Sequence, residues 1–243
     1  MKKLIVLAVL AVAAVSGCAG IPVDRKVEDN TFISMADPMV QIRVDPTLDY
    51  LGKVGTARHH QSINGTTGLL VNYSSYLFLE RDKDNVIKRG VVIRVDRIGK
   101  GSWKADLFAD VKSRLVSDYL DIGGRRYEHF IAVRSDIFTD VEMAYIHGSE
   151  AQDETPVTKG GKATRTGWAL PKCFMVEGFG VIAGAGSDTR MCVYYFEDVE
   201  EIDDEASCRD WLRGEMSPED LDRAKLVFTS SRDGYLSFGE KLR

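Results

Sequence analysis

The stretch GLLVNYSSYLFLERDKDNVIKRGVVIRVDRI, residues 68–98, carries the strongest folding signal in the chain. Its two arms, Gly68 to Leu79 and Ile87 to Ile98, are rich in β-branched and aromatic residues, which are typical of strands. Between them, Glu80 to Asn85 is a short charged segment of the kind that forms turns. The pattern predicts a long antiparallel hairpin.

A second hairpin is predicted nearer the C-terminus. Cys173 to Ala183 and Met191 to Phe196 have strand composition and flank the turn-prone GAGSDT, Gly184 to Thr189. Shorter strands are expected at residues 39–44, 127–133 and 141–146, while residues 45–67 look irregular. Residues 226–238 are expected to fold back at Asp233 and Gly234, a dipeptide that favours tight turns.

Three helices are predicted. The first begins near Lys104 and ends before Gly123, because four apolar residues recur there at every fourth position: Leu107, Val111, Leu115 and Tyr119. A short helix is expected over residues 205–213. The sequence SPED, Ser217 to Asp220, has a capping serine, a proline at the first helical position and acids in the first turn, so it should begin a helix that runs to about Lys225.

Strands outnumber helices and mostly join their neighbours through short turns. The predicted fold class is therefore α+β, a mainly antiparallel β-sheet of hairpins with a few packed helices in a single domain. No repeat, heptad run or low-complexity tract suggests another architecture.

The first residues have the composition of an export signal. Met1 to Lys3 is a short positive leader, and Leu4 to Val15 follows as an apolar run. As a helix that run would reach roughly 18 Å, well short of the roughly 30 Å of hydrocarbon that a spanning helix must cross. We therefore expect a signal peptide that is removed after export.

The run ends in Val15, Ser16, Gly17 and Cys18, which resembles the lipobox of bacterial lipoproteins. The resemblance implies that Cys18 becomes the first residue of the mature protein and carries a diacylglyceryl group on sulfur and a further acyl chain on nitrogen. Two or three chains make attachment effectively permanent. Ala19 is not the aspartate that retains lipoproteins at the inner membrane, so the implied location is the outer membrane, facing the periplasm.

The resulting division of the chain is a cleaved signal peptide at residues 1–17, a lipidated N-terminus and tether at 18–38, and a globular domain at 39–243. The alternative is an ordinary exported protein that is cleaved near a cysteine. Without residues 1–17, the remaining 226 residues carry 30 Lys and Arg against 37 Asp and Glu, a formal charge of −7. This balance gives no support to nucleic acid as a partner.

Three cysteines remain for the domain: Cys173, Cys192 and Cys208. In an oxidising compartment they allow one disulfide and one free thiol. The second hairpin would hold Cys173 and Cys192 roughly 30 Å apart at strand rise, whereas bridged Cα atoms lie within about 7 Å. The returning strand would pass Cys173 near residue 200, so Cys208 is the nearer partner along the chain, and a disulfide between Cys173 and Cys208 is favoured.

Motifs for catalysis, cofactors or metals are weak. The glycines of residues 178–188 miss the dinucleotide-binding spacing and precede a strand, so a tight turn with close strand packing is favoured over a phosphate cradle. His59 and His60 have no partner at metal-ligand spacing, and Asp82 to Asn85 lacks the glycine and closing glutamate of a calcium loop. Ser187 lacks the context of a hydrolase nucleophile. No metal site, cofactor or catalytic set is predicted.

One loop has a different character. Within the polar residues 149–167, expected to be a long loop, Lys159, Lys162 and Arg165 lie among glycines before Trp168. These cations are candidates for binding an anionic glycan or a lipid headgroup, and the alternative is an ordinary solvated loop.

Three functions fit the sequence. The favoured one is a lipid-anchored envelope protein that acts by binding or assembly, with an envelope protein or a glycan as partner. The second is an envelope hydrolase of peptidoglycan or polysaccharide, which would need two facing carboxylates in a cleft. The third is a small-ligand carrier, which would need a closed apolar pocket.

Overall fold

A computed structural model describes residues 25–61, 68–104, 107–112, 114–148, 168–202 and 208–239, with side chains omitted at 56–61 and 68–70. Seven antiparallel strands form the larger sheet, in the order β4-β5-β6-β10-β9-β8-β7. Their bounds are β4 Asp49–Gln61, β5 Gly68–Arg81, β6 Ile87–Ile98, β7 Arg114–Ile122, β8 Arg125–Arg134, β9 Phe174–Ala183 and β10 Thr189–Asp198.

A smaller sheet of four short strands, in the order β1-β2-β3-β11, packs on one face of the larger one. Its strands are β1 Arg25–Glu28, β2 Thr31–Ser34, β3 Val40–Val44 and β11 Leu236–Phe238. The described helices are α1 Asp140–Ile146, α2 Val199–Ile202, α3 Cys208–Arg213 and α4 Pro218–Tyr235. The predicted α+β class, dominated by antiparallel hairpins, is confirmed.

Both predicted central hairpins are present. The β5–β6 turn is closed by the Asp82 carboxylate, which accepts hydrogen bonds from the backbone N–H groups of Asp84 and Val86 at 2.8 and 2.9 Å. The β9–β10 turn contains Gly184 and Ser187, both with positive φ, of 91° and 55°. The glycine-rich segment is therefore the tight turn that the sequence favoured.

The core is divided by the larger sheet. On one face, Phe78 and Val193 pack with Phe32 and Ile42 of the smaller sheet. The opposite face is apolar around Phe130 and is covered by α1 and residues 107–112. Gly178 lies directly under the Phe130 ring, where an added Cβ would come within 2.1 Å of a ring carbon. The glycines of β9 thus serve the close strand packing that was predicted.

Two sequence predictions of element type are wrong. In place of the helix expected from Lys104, residues 107–112 form a turn segment and residues 114–122 form β7, an edge strand whose residues 117–119 are exposed. Leu107 and Val111 pack on the face around Phe130, whereas Leu115 packs on the other face, so the fourfold spacing does not mark one face of a helix. Residues 141–146, expected as a strand, form α1, because Thr139 and Glu142 make a capping box that fixes the first turn.

Two further boundaries differ from the predictions. Residues 49–61, within the segment expected to be irregular, form β4. The helix that begins after Ser217 does not stop near Lys225 but continues to Tyr235, because Ala224 and Phe228 bury the same face of it. No turn forms at Asp233 and Gly234, and β11 follows the helix directly.

The smaller sheet includes chain that was assigned to the tether. Both β1 and β2 lie within residues 18–38, and Val27 packs against the common core. The folded part of the described chain therefore begins at Arg25 rather than at residue 39. No helix among the described residues is long and apolar enough to cross a membrane.

The structure joins Cys173 to Cys208, with Cα atoms 5.8 Å apart, as predicted. The bond links the residue before β9 to the first residue of α3. Cys192 is buried in the sheet as a free thiol, and burial raises its pKa to about 11. A thiol with so high a pKa is protonated at neutral pH and therefore a poor nucleophile.

Candidate functional site

An open polar bowl of about 430 Å³ lies at one end of the larger sheet. It lies between the β3–β4 connection and the β5–β6 turn. Its lining is formed by Thr47, Asp49, Glu80, Arg81, Asp82, Lys83 and Asn85.

Local side-chain bonds fix both rims of the bowl. On one rim, the Asp45 carboxylate accepts hydrogen bonds from the Thr47 backbone N–H at 2.9 Å and hydroxyl at 2.6 Å. On the other, Asp82 accepts from two turn N–H groups, and Asn85 takes a left-handed φ of 63°. These bonds lower the pKa of both aspartates, so both rims stay ionised at neutral pH.

The bowl is supported from behind by a half-buried ion network. Glu80 forms an ion pair with Arg89 at 3.2 Å, and Arg89 in turn lies 3.1 Å from Glu197. The Arg89 guanidinium also donates to the Tyr235 hydroxyl at 2.9 Å, which ties the bowl to the end of α4. Burial raises the pKa of Glu197 despite the nearby guanidinium.

Trp168 and Ala169, which follow the predicted anion-binding loop in the sequence, pack against the β5–β6 turn that lines the bowl. The Arg81 guanidinium lies 4.8 Å from the centre of the Trp168 ring. Ala169 donates its N–H to the Asn85 carbonyl at 2.9 Å and accepts the N–H of Ile87 at 2.9 Å. Trp168 and Ala169 therefore lie beside the bowl.

The bowl combines three carboxylates, Asp49, Glu80 and Asp82, with the cations Arg81 and Lys83. Fixed charges of both signs on an open surface suit a polar or zwitterionic partner, such as a peptide or glycan, better than an apolar one. Among the described residues, no group of three or more His, Cys, Asp or Glu side chains is arranged to hold a metal ion.

The predicted lipidation site and anion-binding loop cannot be compared with the structure, and the histidines and serine considered in the sequence lie in known elements. Cys18 and the cations Lys159, Lys162 and Arg165 lie outside the described residues. His59 and His60 fall in β4, where side chains are not described. Ser187 lies in the β9–β10 turn.

A buried ionic cluster that the sequence did not reveal lies between β7, β8, β9 and α4. His129 is buried, and its Nδ1 and Nε2 lie 2.5 Å from Asp118 and 2.8 Å from Glu177. Arg232 of α4 donates to the second oxygen of Glu177 at 2.9 Å. Because both ring nitrogens face carboxylates, the arrangement favours an imidazolium that donates two hydrogen bonds.

This cluster predicts a pH dependence of stability. Burial lowers the His129 pKa, but the hydrogen bonds to Glu177 and Asp118 outweigh it, so the pKa is raised above its usual 6.5. The stabilisation is therefore complete below about pH 6.5 and is lost as the pH rises through the folded-state pKa. We expect the difference in unfolding free energy between wild type and His129→Gln to shrink over that rise.

Urea unfolding at a series of pH values measures this difference, and NMR titration of the His129 ring gives the folded-state pKa independently. The exposed His147, at the end of α1, provides the matched control variant, His147→Gln. A pH-independent gap between wild type and His129→Gln would show that His129 is neutral in the folded protein.

A second buried cluster lies on the opposite face of the sheet. Glu142 of α1 is fully buried and faces Arg94 of β6, with Oε2 2.7 Å from Nη2 and Oε1 2.9 Å from Nε. Ser75 donates its hydroxyl to Oε1 at 2.6 Å, and Tyr73 also donates to it. These bonds satisfy the carboxylate within the protein, so the cluster acts as a structural connection.

Comparisons with known proteins provide no relative for this fold and its surface. No protein-family model, no curated protein and no solved structure matches the chain.

Proposed function

We propose that the protein is a lipid-anchored lipoprotein of the bacterial cell envelope that acts by binding or assembly. The lipobox ending in Cys18 is the observation that carries the proposal. It implies acylation of Cys18 and attachment to the outer membrane on the periplasmic side. The disulfide between Cys173 and Cys208 supports it, because such bonds persist in oxidising compartments.

The bowl is the binding surface that we assign to this function. Its fixed charges of both signs suit a polar partner in the envelope, either another protein or a glycan. The polar lining gives no support to an apolar-ligand carrier. The alternative hypothesis is an envelope hydrolase. In that case carboxylates of the bowl would have to be its catalytic groups.

Acylation is tested by intact-mass spectrometry of the full chain purified from bacterial membranes. We expect wild type to lack residues 1–17 and to carry the mass of a diacylglyceryl group and an additional acyl chain. Cys18→Ser should retain the leader and lack the acyl mass. Wild-type material without acyl mass would overturn the proposal.

Binding is tested by placing a photo-crosslinking amino acid at Lys83, an exposed residue of the bowl. The matched control places it at Arg223, whose side chain is 64% exposed on α4. We expect a discrete adduct with an envelope protein or with peptidoglycan from position 83 that is absent from position 223. Equal labelling from both positions would show that the bowl is not the binding surface.

A further inference from the structure

The strand directions place the start of the described chain at one end of the molecule. Arg25 pairs with Ser34, which pairs with Val40, so the outer ends of β1, β2 and β3 lie together. Arg25 donates to the Asp37 carbonyl at 2.8 Å, and Arg125, after the β7–β8 turn, donates to the Asp37 carboxylate at 3.1 Å. The two sheets therefore meet at this end.

We name this the anchor end and define it as residues 25–26, 35–39, 96–104, 121–126 and 184–190. The sheet register supports the grouping, because Thr189 pairs with both Arg97 and Ala183.

The bowl lies at the opposite end of the same strands. Arg97 is ten residue steps along β6 from Ile87, which follows the turn that lines the bowl. At the rise of a strand, this is about 33 Å. The bowl end comprises residues 45–49, 80–89, 134–136 and 197–201.

Charge is distributed unequally between the two ends. The anchor end contains eight Lys and Arg against four Asp and Glu, whereas the bowl end contains five against ten. The anchor end is thus net positive in a chain that, without residues 1–17, carries a formal charge of −7. A positive end is attracted to a surface of anionic lipid, and an acidic end is repelled by it.

The length of chain before Arg25 determines which end is close to a lipid on Cys18. Arg25 is seven residue steps beyond Cys18. A chain of seven residues spans at most about 25 Å, whatever its conformation. That reach is shorter than the distance between the two ends, so a lipid on Cys18 cannot extend from Arg25 to the bowl end.

The anchor end also has the side chains of a membrane interface. Met35 is 60% exposed in the loop between β2 and β3, and Tyr119, on β7 two residues before the anchor end, is 56% exposed. The Arg126 guanidinium lies 4.2 Å from the centre of the Tyr119 ring. Amphipathic tyrosine and long cationic side chains are suited to the boundary between headgroups and hydrocarbon.

We propose that the anchor end docks on the anionic headgroups of the bilayer that holds the acyl chains, which turns the bowl away from the membrane. This proposal rests on the proposed lipidation of Cys18. The protein is thereby oriented as well as attached, with its binding surface presented to the periplasm.

The test uses the full acylated chain in vesicles of phosphatidylethanolamine and phosphatidylglycerol. A fluorophore is attached at Met35→Cys or, as the matched control at the bowl end, at Asp84→Cys, and a nitroxide-labelled phospholipid is the quencher. Cys192 is buried and Cys173 and Cys208 are bridged, so the introduced thiol is the one available for labelling among the described residues. We expect quenching at position 35 to exceed that at position 84 by about threefold or more.

The charge dependence of the quenching distinguishes docking on the headgroups from simple closeness to the membrane through the lipid anchor. We expect Arg126→Glu, high salt, or vesicles of phosphatidylcholine to reduce quenching at position 35, and the matched control Lys83→Glu to leave it unchanged. Equal quenching at positions 35 and 84 in acylated protein would overturn the orientation and leave the lipoprotein proposal intact. Absence of acyl mass on Cys18 would overturn both.

Discussion

Replacing Glu142 by alanine is expected to lower the free energy of unfolding by about 3–5 kcal/mol. The carboxylate is fully buried and forms two hydrogen bonds with the Arg94 guanidinium. Without it, Arg94 keeps its charge among Tyr73, Ser75 and the face of Tyr194. The cost is large because a buried charge is left uncompensated, and it exceeds the net contribution of the intact pair.

Urea unfolding at neutral pH measures this loss. The matched control is Asp140→Ala, which removes an exposed carboxylate from the first turn of the same helix and should cost less than about 1 kcal/mol. The double variant Glu142→Leu, Arg94→Met should recover most of the loss, because it removes both charges and keeps apolar volume. If Glu142→Ala lowers the free energy of unfolding no more than Asp140→Ala does, the Arg94 charge is hydrated or paired with another acid in the variant.

The same pair determines how the protein responds to acid. Burial raises the Glu142 pKa, but Arg94 and the hydroxyl donors outweigh it, so the pKa is lowered from its usual 4.5. The stabilisation from Glu142 is therefore complete above about pH 4.5 and is lost as the pH falls through the folded-state pKa. Its pH dependence is opposite in direction to that of His129.

The hairpins could be predicted because their signals are local. Asp82 and Gly184 fix their turns with bonds and backbone angles that involve only a few neighbouring residues, and strand composition is visible on both sides. The disulfide could be predicted from the hairpin as well, since its register separates Cys173 from Cys192 and returns the chain past Cys173 shortly before Cys208. Local chemistry and one register were sufficient for these features.

The buried clusters could not be predicted because their members are distant in sequence. Glu177 is 48 residues from His129 and 55 from Arg232, and only the pairing of β8 with β9 and the packing of α4 bring the three together. The bowl could not be predicted either, because its Asp49 rim depends on β4, which lies in a segment predicted to be irregular.

One missed signal was present in the sequence. Thr139 and Glu142 have the spacing of a capping box, and Val141, Tyr145 and Ile146 recur at helical positions after it. The composition of residues 141–146 alone favours a strand, but the capping box that precedes them determines a helix. The capping glutamate is also the buried partner of Arg94, so the helix start and the core cluster depend on the same side chain.

Removing the disulfide is expected to lower the free energy of unfolding by about 2–5 kcal/mol. The bond closes a sequence separation of 35 residues, for which the chain-entropy relation gives about 4 kcal/mol. In the folded protein it holds α3 against the start of β9, and buries Trp211 of α3 in the core. Cys208→Ser is the preferred variant, because Cys208 is only partly buried whereas Cys173 is fully buried.

Urea unfolding with and without a thiol reductant distinguishes the effect of losing the disulfide from the effect of changing the Cys208 side chain. Wild type should fall under reductant to the stability of Cys208→Ser, and Cys208→Ser itself should not respond. Cys192→Ala, which loses the buried free thiol, is the matched control: it should be destabilised by its smaller side chain yet keep the full response to reductant. A wild-type protein whose stability is the same in both conditions would show that the bond contributes nothing, and that α3 is held by packing around Trp211 alone.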